Sequence, residues 1–412
     1  MKQVKIGVLG ARRGQDMIRF CMNTGTAVLT AICDNSPKLQ EMEAKYPDHG
    51  IRFFADFDSF LQEADMDAVV LANYANDHAS FAIRCLNAGK HVMSEVLPVE
   101  TMAEAVALIE AVEQSGKVYA YGENYCYMPA PREMKKLLEE GRLGKFEYGE
   151  GEYMHNCEPD WASLTLADPM HWRNRMYSTY YCTHSIGPLL FVTGERPVRV
   201  SGFEVPFNDR MYRMGAQAGP IGMEIITLES GALLKSIHGV GPSENSIWYS
   251  IYGSEGRVES AREDAENGAV DRVYLNLTKN KVKNLTSYEP AYQGEEAGKT
   301  SNHNGADHLV MEHFVKKILG DPEAEIIDVY RAMDMFLPGL FAYRSILHGN
   351  MPYEIPNLKD PAVRERYRND TSCTNPEKAG ENLLPVSPGG DPQIPDSVYA
   401  AHRQKLIDNK VL

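Results

Sequence analysis

The sequence predicts an α/β protein with two layered parts: a doubly wound parallel sheet at the N-terminal end, then an α/β part with an open, mostly antiparallel sheet. Over the first 125 residues, short apolar runs alternate with amphipathic stretches, which is typical of parallel strands joined by helices. After Met128 the apolar residues alternate at a period of two, which is typical of strands with one covered face.

Six apolar runs of the N-terminal part have the length and composition of strands. Between them apolar residues recur at helical spacing, as in Met17, Ile18 and Cys21, so helices are expected on both faces of the sheet. The predicted strands are 4–9, 28–33, 51–54, 68–72, 91–94 and 118–121.

The second part begins with a predicted helix at 132–141 and ends with predicted helices at 307–319 and 329–348. The stretch from 355 onward is rich in Pro, Gly and Asp, which favours an extended tail packed on the body. The strands expected between the helices are 146–154, 199–205, 221–228 and 247–252. The expected parts of the chain are 1–127, 128–354 and 355–412.

Composition excludes several classes of protein. The chain has 42 Lys and Arg against 57 Asp and Glu, a net charge of −15 over 412 residues, which argues against nucleic acid or an anionic membrane as partner. No apolar run approaches the ~20 residues that span a bilayer. Seven cysteines without a Cys-x-x-Cys pair favour a reducing compartment, so a cytoplasmic protein is expected.

A glycine-containing turn follows the first strand, and an acidic residue closes the second. Gly10 permits a tight turn, Gly14 permits close helix packing, and the helix N-terminus suits a pyrophosphate. Asp34 is placed to accept hydrogen bonds from ribose hydroxyls and to repel a 2′-phosphate, which favours NAD over NADP. Arg12 and Arg13 are candidate phosphate contacts. From the glycines alone, an ordinary strand-to-helix turn is the alternative.

The segment Lys90-His91-Val92-Met93-Ser94-Glu95, followed by Pro98, resembles a characteristic segment of the Gfo/Idh/MocA oxidoreductase family. Similar pieces occur over nearly the whole chain. The resemblance implies an N-terminal Rossmann domain that binds NAD. It also implies a C-terminal α/β domain whose open sheet carries the substrate site and often the subunit interface, so a homo-oligomer through that sheet is expected.

One departure from the family pattern indicates a branch. Val96 stands where ordinary dehydrogenases of the family have a lysine beside the nicotinamide. A Glu-Val pair resembles the NAD-dependent α-N-acetylgalactosaminidase branch of glycoside hydrolases, and the segment from Tyr181 to Pro188 is similar to that branch's Y-x-T-H-x-x-G-P.

The resemblance implies two sets of site residues. Contacts to NAD are implied for Arg12, Arg13, Asp34, Ala75, Asn76, Asp77, His78, Glu95, Val96 and Asn124. Contacts to a carbohydrate substrate are implied for Tyr153, Arg173, Tyr181, Cys182, Thr183 and His184, together with a further tyrosine for which Tyr288 is the candidate. Trp172 is a candidate for stacking on a ring, with packing in the core as its alternative.

The chemistry implied is glycosidic bond cleavage through transient oxidation of a sugar at C3, elimination, water addition and re-reduction. His184 is the candidate acceptor of the hydroxyl proton. Tyr181 or Tyr153 is the candidate second base if Arg173 stabilises its phenolate, and the alternative role of Arg173 is to bind sugar hydroxyls. The spacings of the other histidines match no common ligand pattern, so no metal is predicted.

Two other functions compete with this interpretation. The first is a sugar or polyol dehydrogenase that releases NADH, with His184 in place of the usual lysine. The second is a non-catalytic NAD-binding sensor, against which the Tyr181–His184 cluster and Arg173 argue, since a sensor needs no such groups.

Overall fold

The structure is a computed structural model that describes residues 3–36, 39–46, 49–262, 272–277, 285–294, 298, 301–409 and 411. The chain forms two compact units. The first unit comprises Met1–Met128, Ala291–Met333 and Leu358–Asp370, and the second comprises Pro129–Pro290, Asp334–Asn357 and Thr371–Leu412. The predicted domains 1–127, 128–354 and 355–412 are continuous segments, and this division stays a prediction.

The first unit contains a six-stranded sheet in the order β3-β2-β1-β4-β5-β6, in which every strand pair is parallel. Its elements are β1 Val4–Leu9, α1 Gln15–Asn23, β2 Ala27–Cys33, α2 Leu39–Glu43, β3 Arg52–Phe54, α3 Phe57–Glu63, β4 Ala68–Leu71, α4 His78–Asn87, β5 His91–Ser94, α5 Met102–Ser115 and β6 Tyr119–Tyr121. The strand order reverses at β1, between β2 and β4, which is where doubly wound sheets bind ligands. The predicted fold class is confirmed.

The strands of this sheet form because their residues are apolar on both faces. All four residues of β4 are buried, as expected for a strand covered by helices on both sides. The helix α5 begins at a capping box, in which the Thr101 side chain accepts from the Glu104 N–H and the Glu104 carboxylate accepts from the Thr101 N–H.

The second unit contains a nine-stranded sheet in the order β14-β13-β12-β11-β7-β10-β9-β8-β15, in which only β7 and β10 pair in parallel. Its elements are α6 Pro129–Glu139, β7 Phe146–Met154, α7 Trp161–Thr165, α8 Thr183–Thr193, β8 Pro197–Glu204, α9 Asp209–Met214, β9 Gly222–Leu228, β10 Leu233–Gly239, β11 Ser246–Gly253, β12 Gly256–Ser260, β13 Val273–Leu277, β14 Leu285–Tyr288 and β15 Tyr353–Glu354. The later helices of the chain are α10 Ala306–Leu319 and α11 Val329–Leu347.

The strand β10 was not predicted, because polar residues occupy its inward positions. Ser236 and His238 are both fully buried there, so the alternation of apolar and polar residues is lost. Pairing with β7 and β9 on either side makes this segment a central strand despite its sequence pattern.

Glycines on the inner face of this sheet allow the segment 178–185 to lie directly on the strands. A Cβ at Gly151 would lie 1.9 Å from the Ser185 carbonyl oxygen, and one at Gly222 would lie 2.7 Å from that of Ser178. Any side chain at either position would push the start of α8 away from the sheet. The two glycines therefore set the position of residues 181–184.

The expected extended tail is wrong for much of 355–412, which contains three helices. They are α12 Pro361–Tyr367, α13 Pro376–Ala379 and α14 Asp396–Asp408. Two of the prolines that suggested a tail, Pro361 and Pro376, occupy the first turns of α12 and α13, where a missing N–H costs nothing, and Asp360 and Asn375 cap these helices. Among the described residues, no helix has both the length and the apolarity that a membrane span needs.

Candidate functional site

The turn after β1 leaves room only for glycine at its two ends. Gly10 has a φ of +90°, and a Cβ there would lie 2.4 Å from the Ala72 carbonyl oxygen. A Cβ at Gly14 would lie 2.6 Å from Val8 Cγ1. Gly14 precedes α1 and supplies no side-chain cap, so N–H groups at the helix N-terminus remain available to an anion.

The carboxylate of Asp34 lies beside this turn. It accepts hydrogen bonds from the backbone N–H of Ala11 at 2.7 Å and from that of Ser36 at 2.8 Å. These two bonds fix a half-buried carboxylate at the carboxyl end of β2, where a dinucleotide-binding fold places its ribose acceptor. The geometry fits the adenosine ribose of NAD.

The two arginines of the turn differ in their surroundings. Arg12 is exposed. The Arg13 guanidinium lies 2.6 Å from Glu95 Oε1 and 3.0 Å from Asp307 Oδ1. Burial alone would lower the pKa of Arg13, but the two carboxylates outweigh it and raise this pKa. Because Arg13 is engaged by two carboxylates, Arg12 is the better placed of the two for the predicted phosphate contact.

Asp307 joins several of the predicted cofactor residues, although its own role was not predicted. Its buried carboxylate accepts from Arg13, from Asn124 Nδ2 at 2.9 Å and from His303 Nδ1 at 2.7 Å. Burial would raise the pKa of Asp307, but the bonds from His303 and Arg13 lower it to about 2. Burial would lower the pKa of His303, but the hydrogen bond to the Asp307 carboxylate outweighs it and raises this pKa. In the sequence, Asp307 ends the run His303-Asn304-Gly305-Ala306-Asp307, which resembles a segment of the α-N-acetylgalactosaminidase branch.

The predicted run 75–78 forms a short 3-10 turn and the first residue of α4. His78 is buried, and its ring nitrogens lie 2.8 Å from the Leu97 carbonyl oxygen and 3.2 Å from that of Asn73. His78 therefore ties the end of β4 to the segment that follows Glu95. Ala75 is buried, whereas Asn76, Asp77 and Val96 are partly exposed.

In the second unit the structure brings together three of the predicted catalytic side chains. The ring of His184 lies 4.6 Å from that of Tyr153 and 6.1 Å from that of Tyr181, measured between centroids. His184 is the second residue of α8, Tyr153 is near the end of β7, and Tyr181 precedes the helix. His184 is 7% exposed, so it lies at the edge of the interior.

Arg173 joins this cluster through Tyr181. Its Nη1 donates to the Tyr181 hydroxyl oxygen at 3.0 Å, and its guanidinium lies 4.6 Å from the centre of the Trp172 ring. A guanidinium N–H on a phenol oxygen stabilises negative charge on that oxygen. The Trp172 ring face that holds Arg173 is already covered, so any stacking on a sugar would use the rest of the ring.

Burial and the Arg173 charge act on two neighbouring histidines. Burial lowers the pKa of His171 to about 4, with a further contribution from Arg173. Burial also lowers the pKa of His155, and His184 and Arg173 add to this effect. Both imidazoles are therefore held neutral near pH 7, which leaves Arg173 as the fixed positive charge beside Tyr181.

Three predicted substrate contacts are placed elsewhere by the structure. Cys182 is fully buried with its Sγ 3.5 Å from the carbonyl oxygens of Met335 and Phe336, and Thr183 is fully buried as well. Both side chains are therefore buried at the start of α8 and are turned away from solvent.

Tyr288 also lies away from the cluster. It is on β14, an edge strand four steps from β7, or about 19 Å at ~4.8 Å per strand. Its hydroxyl donates to Glu133 Oε1 at 2.7 Å. Within the part of the chain that the structure describes, no group of three or more His, Cys, Asp or Glu side chains is arranged to hold a metal ion.

Taken together, the sheet order, the glycine turn and the carboxylate of Asp34 define the first unit as a dinucleotide-binding Rossmann domain. Residues 4–123 match the model of the oxidoreductase family with an NAD-binding Rossmann fold. This match to the NAD-binding domain of the Gfo/Idh/MocA oxidoreductases confirms the predicted resemblance and the predicted cofactor.

The comparison with curated proteins extends over most of the chain. A glycosyl hydrolase family 109 protein of Saccharopolyspora erythraea is 22% identical over 86% of this chain and 83% of its own length. A protein of the same name from Bacteroides thetaiotaomicron is 23% identical over 87% and 85%. The predicted resemblance to the α-N-acetylgalactosaminidase-like branch is confirmed.

Solved structures share the fold over a similar extent. An aldose-aldose oxidoreductase from Caulobacter crescentus has a TM-score of 0.69 at 20% identity, covering 86% of this chain and all of its own. A scyllo-inositol dehydrogenase from Lactobacillus casei has a TM-score of 0.67 at 18% identity, covering 86% and 99%. At these identities the likeness shows the fold alone.

Proposed function

We propose that this protein is an NAD-dependent enzyme that acts on a sugar or glycoside and cleaves a glycosidic bond without net oxidation. The observation that carries the proposal is the cluster of Tyr153, Tyr181 and His184 with Arg173 bonded to Tyr181. It supplies two different proton acceptors, which this reaction needs. The similarity to glycosyl hydrolase family 109 proteins supports the same choice.

When bound, NAD would supply the redox chemistry, which is reversible removal of a hydride from C3 of the sugar. With C3 oxidised to a ketone, the proton on C2 becomes acidic. Loss of that proton and departure of the C1 substituent give an enone, and water adds to C1 before C3 is reduced again. The sum is hydrolysis of the bond.

His184 accepts the C3 hydroxyl proton as the hydride leaves, since its imidazole lies at the edge of the interior and against Tyr153 in the cluster. Tyr181 takes the C2 proton as a phenolate that the Arg173 guanidinium stabilises. Tyr153 faces His184 and is the second candidate for that base. Asp34 accepts hydrogen bonds from the adenosine ribose of NAD.

The rival function is a sugar or polyol dehydrogenase that releases NADH. It is favoured by the presence of one acceptor, His184, that suffices for simple oxidation of an alcohol. Oxidation of an alcohol needs no second base, so it leaves the Arg173–Tyr181 pair without a role. For this reason we prefer the glycosidase. A sensor without catalysis would need neither group.

The test mixes the NAD-loaded enzyme with a panel of aryl glycosides and follows the aglycone and NADH absorbances together. Aglycone release without accumulated NADH supports the proposal, and NADH formed in step with substrate consumption supports the dehydrogenase. If the protein retains NAD but produces neither aglycone nor NADH, the non-catalytic sensor is the remaining interpretation.

Tyr181→Phe separates the two enzymes further, because it removes the proposed C2 base and leaves His184 in place. We expect it to abolish aglycone release while a single hydride transfer still reduces bound NAD. Tyr177→Phe is the matched control, because Tyr177 is buried and stacks on Tyr343 at 4.2 Å, a contact that phenylalanine keeps.

A further inference from the structure

A cluster of four buried polar residues lies on the inner face of the second unit's sheet, next to the predicted catalytic cluster. Its members are Glu224 on β9, Ser236 and His238 on β10, and Ser185 on α8, and all four are fully buried. His238 is opposite Tyr153 in the pairing of β10 with β7, and Ser185 follows His184 in the chain. The proposed reaction uses none of these four residues.

The contacts of His238 are made on one side of its ring. Its Nδ1 lies 3.4 Å from Glu224 Oε2 and 3.4 Å from Ser185 Oγ. Its Nε2 has no hydrogen-bond partner among the described residues. A buried polar atom of this kind costs free energy unless a partner satisfies it. We therefore expect a hydrogen-bond partner at His238 Nε2.

His238 also lines a small cavity of about 20 Å³, which it shares with Arg173, Tyr181, Trp161 and Tyr180. This volume is enough for one water molecule, which needs at least ~10–15 Å³ and two or more polar partners. Arg173 brings a second such partner, because its Nε is buried without a hydrogen bond to any described residue. The cavity thus has the size and the polarity of a water site.

We propose that His238, with Glu224 beside its Nδ1, binds a buried water molecule that holds the Arg173 guanidinium against Tyr181. With the ring proton on Nδ1, which faces the Glu224 carboxylate and the Ser185 hydroxyl, Nε2 is an acceptor. The water donates to His238 Nε2 and accepts from Arg173 Nε–H, and Arg173 Nη1 keeps its bond to the Tyr181 oxygen. His238 is then a positioning residue that acts on the proposed C2 base through Arg173.

The first test is direct and does not depend on activity. A high-resolution crystal structure of the NAD-bound enzyme should show a water within hydrogen-bond distance of both His238 Nε2 and Arg173 Nε. In His238→Leu that water should be absent and the Arg173 side chain displaced. Density for a side chain in the cavity of the wild type, or no water there, would overturn the proposal.

The second test is kinetic and rests on the proposed function. We expect His238→Leu to lower kcat for an aryl glycoside about tenfold, the effect of one lost hydrogen bond to a charged group, with KM changed less than about twofold. His238→Gln should recover part of kcat, because its amide oxygen still accepts from a water. A packing role alone would make the two variants equally slow, and this result would contradict the positioning role.

Ser250→Ala is the control, since Ser250 is fully buried in the same sheet and does not line the cavity. It should leave kcat unchanged. If the wild type cleaves no glycoside, the proposed function fails, and the crystallographic water alone then decides the inference about His238. If His238→Leu does not fold, His238→Gln alone is measured: it should keep the water and part of kcat, and loss of the water with kcat unchanged would contradict the proposal.

Discussion

Replacing Asp307 by asparagine should destabilise the first unit by an amount that depends on pH in a defined direction. The carboxylate is 1% exposed and is bonded to Arg13, Asn124 and His303. Asparagine keeps the shape and an acceptor oxygen but removes the charge. The loss therefore measures how much the ionised carboxylate contributes among these partners.

The magnitude follows from the pKa of Asp307, which the partners lower from an ordinary 3.8 to about 2. At ~1.4 kcal/mol per pH unit, this difference corresponds to about 2 kcal/mol of stability. Because the folded-state pKa is lowered, the contribution is present above pH 3.8 and is lost as the pH falls through about 2. For His303 the pKa is raised, so its contribution is present below 6.5 and is lost at higher pH.

Urea unfolding of the wild type and Asp307→Asn at pH 6 should differ by about 2 kcal/mol, and this difference should fall to about half at pH 3. Asp65→Asn is the control, since the Asp65 side chain is 82% exposed and its ion pair with Lys5 is screened by solvent, so this variant should unfold like the wild type at both pH values. An Asp307→Asn difference that is the same at both pH values would refute the reasoning.

Three further predictions concern the other parts of the site. Asp34→Ala should weaken NAD binding and narrow the preference for NAD over NADP, measured by titration of both cofactors, and unchanged affinities would remove Asp34 from the ribose site. His184→Ala should abolish turnover of aryl glycosides while NAD stays bound, and a wild-type rate would exclude it as the base. The sheet face away from α8 exposes Phe203, Ile225 and Leu233 by 38–43%, so the expected homo-oligomer should form through it. Ile225→Lys should then give a smaller particle in light scattering, and an unchanged mass would argue against this interface.

The local pattern of apolar and polar residues was enough to predict those elements whose residues lie in a single kind of environment. The six strands of the first unit match their predicted runs within one residue at each end, because most of them are apolar on both faces and neighbouring residues give the same signal. The glycine turn at Gly10 and Gly14 and the acidic residue Asp34 were predictable for another reason, which is that these residues lie close together along the chain.

The rest depended on contacts between distant segments. Asp307 reaches Arg13 across 294 positions, and His238 meets Glu224 and Ser185 on adjacent strands and a helix, which no spacing rule reveals. The motif residues 181–184 are consecutive in the sequence, and all four were predicted to contact substrate. The structure places Tyr181 and His184 in the cluster, whereas Cys182 and Thr183 are fully buried. The sequence by itself determined the strands, the turn and the acidic residue after β2, because these follow from neighbouring residues. Only the tertiary structure decided which polar side chains meet, because burial and strand pairing bring together groups that are far apart in the chain.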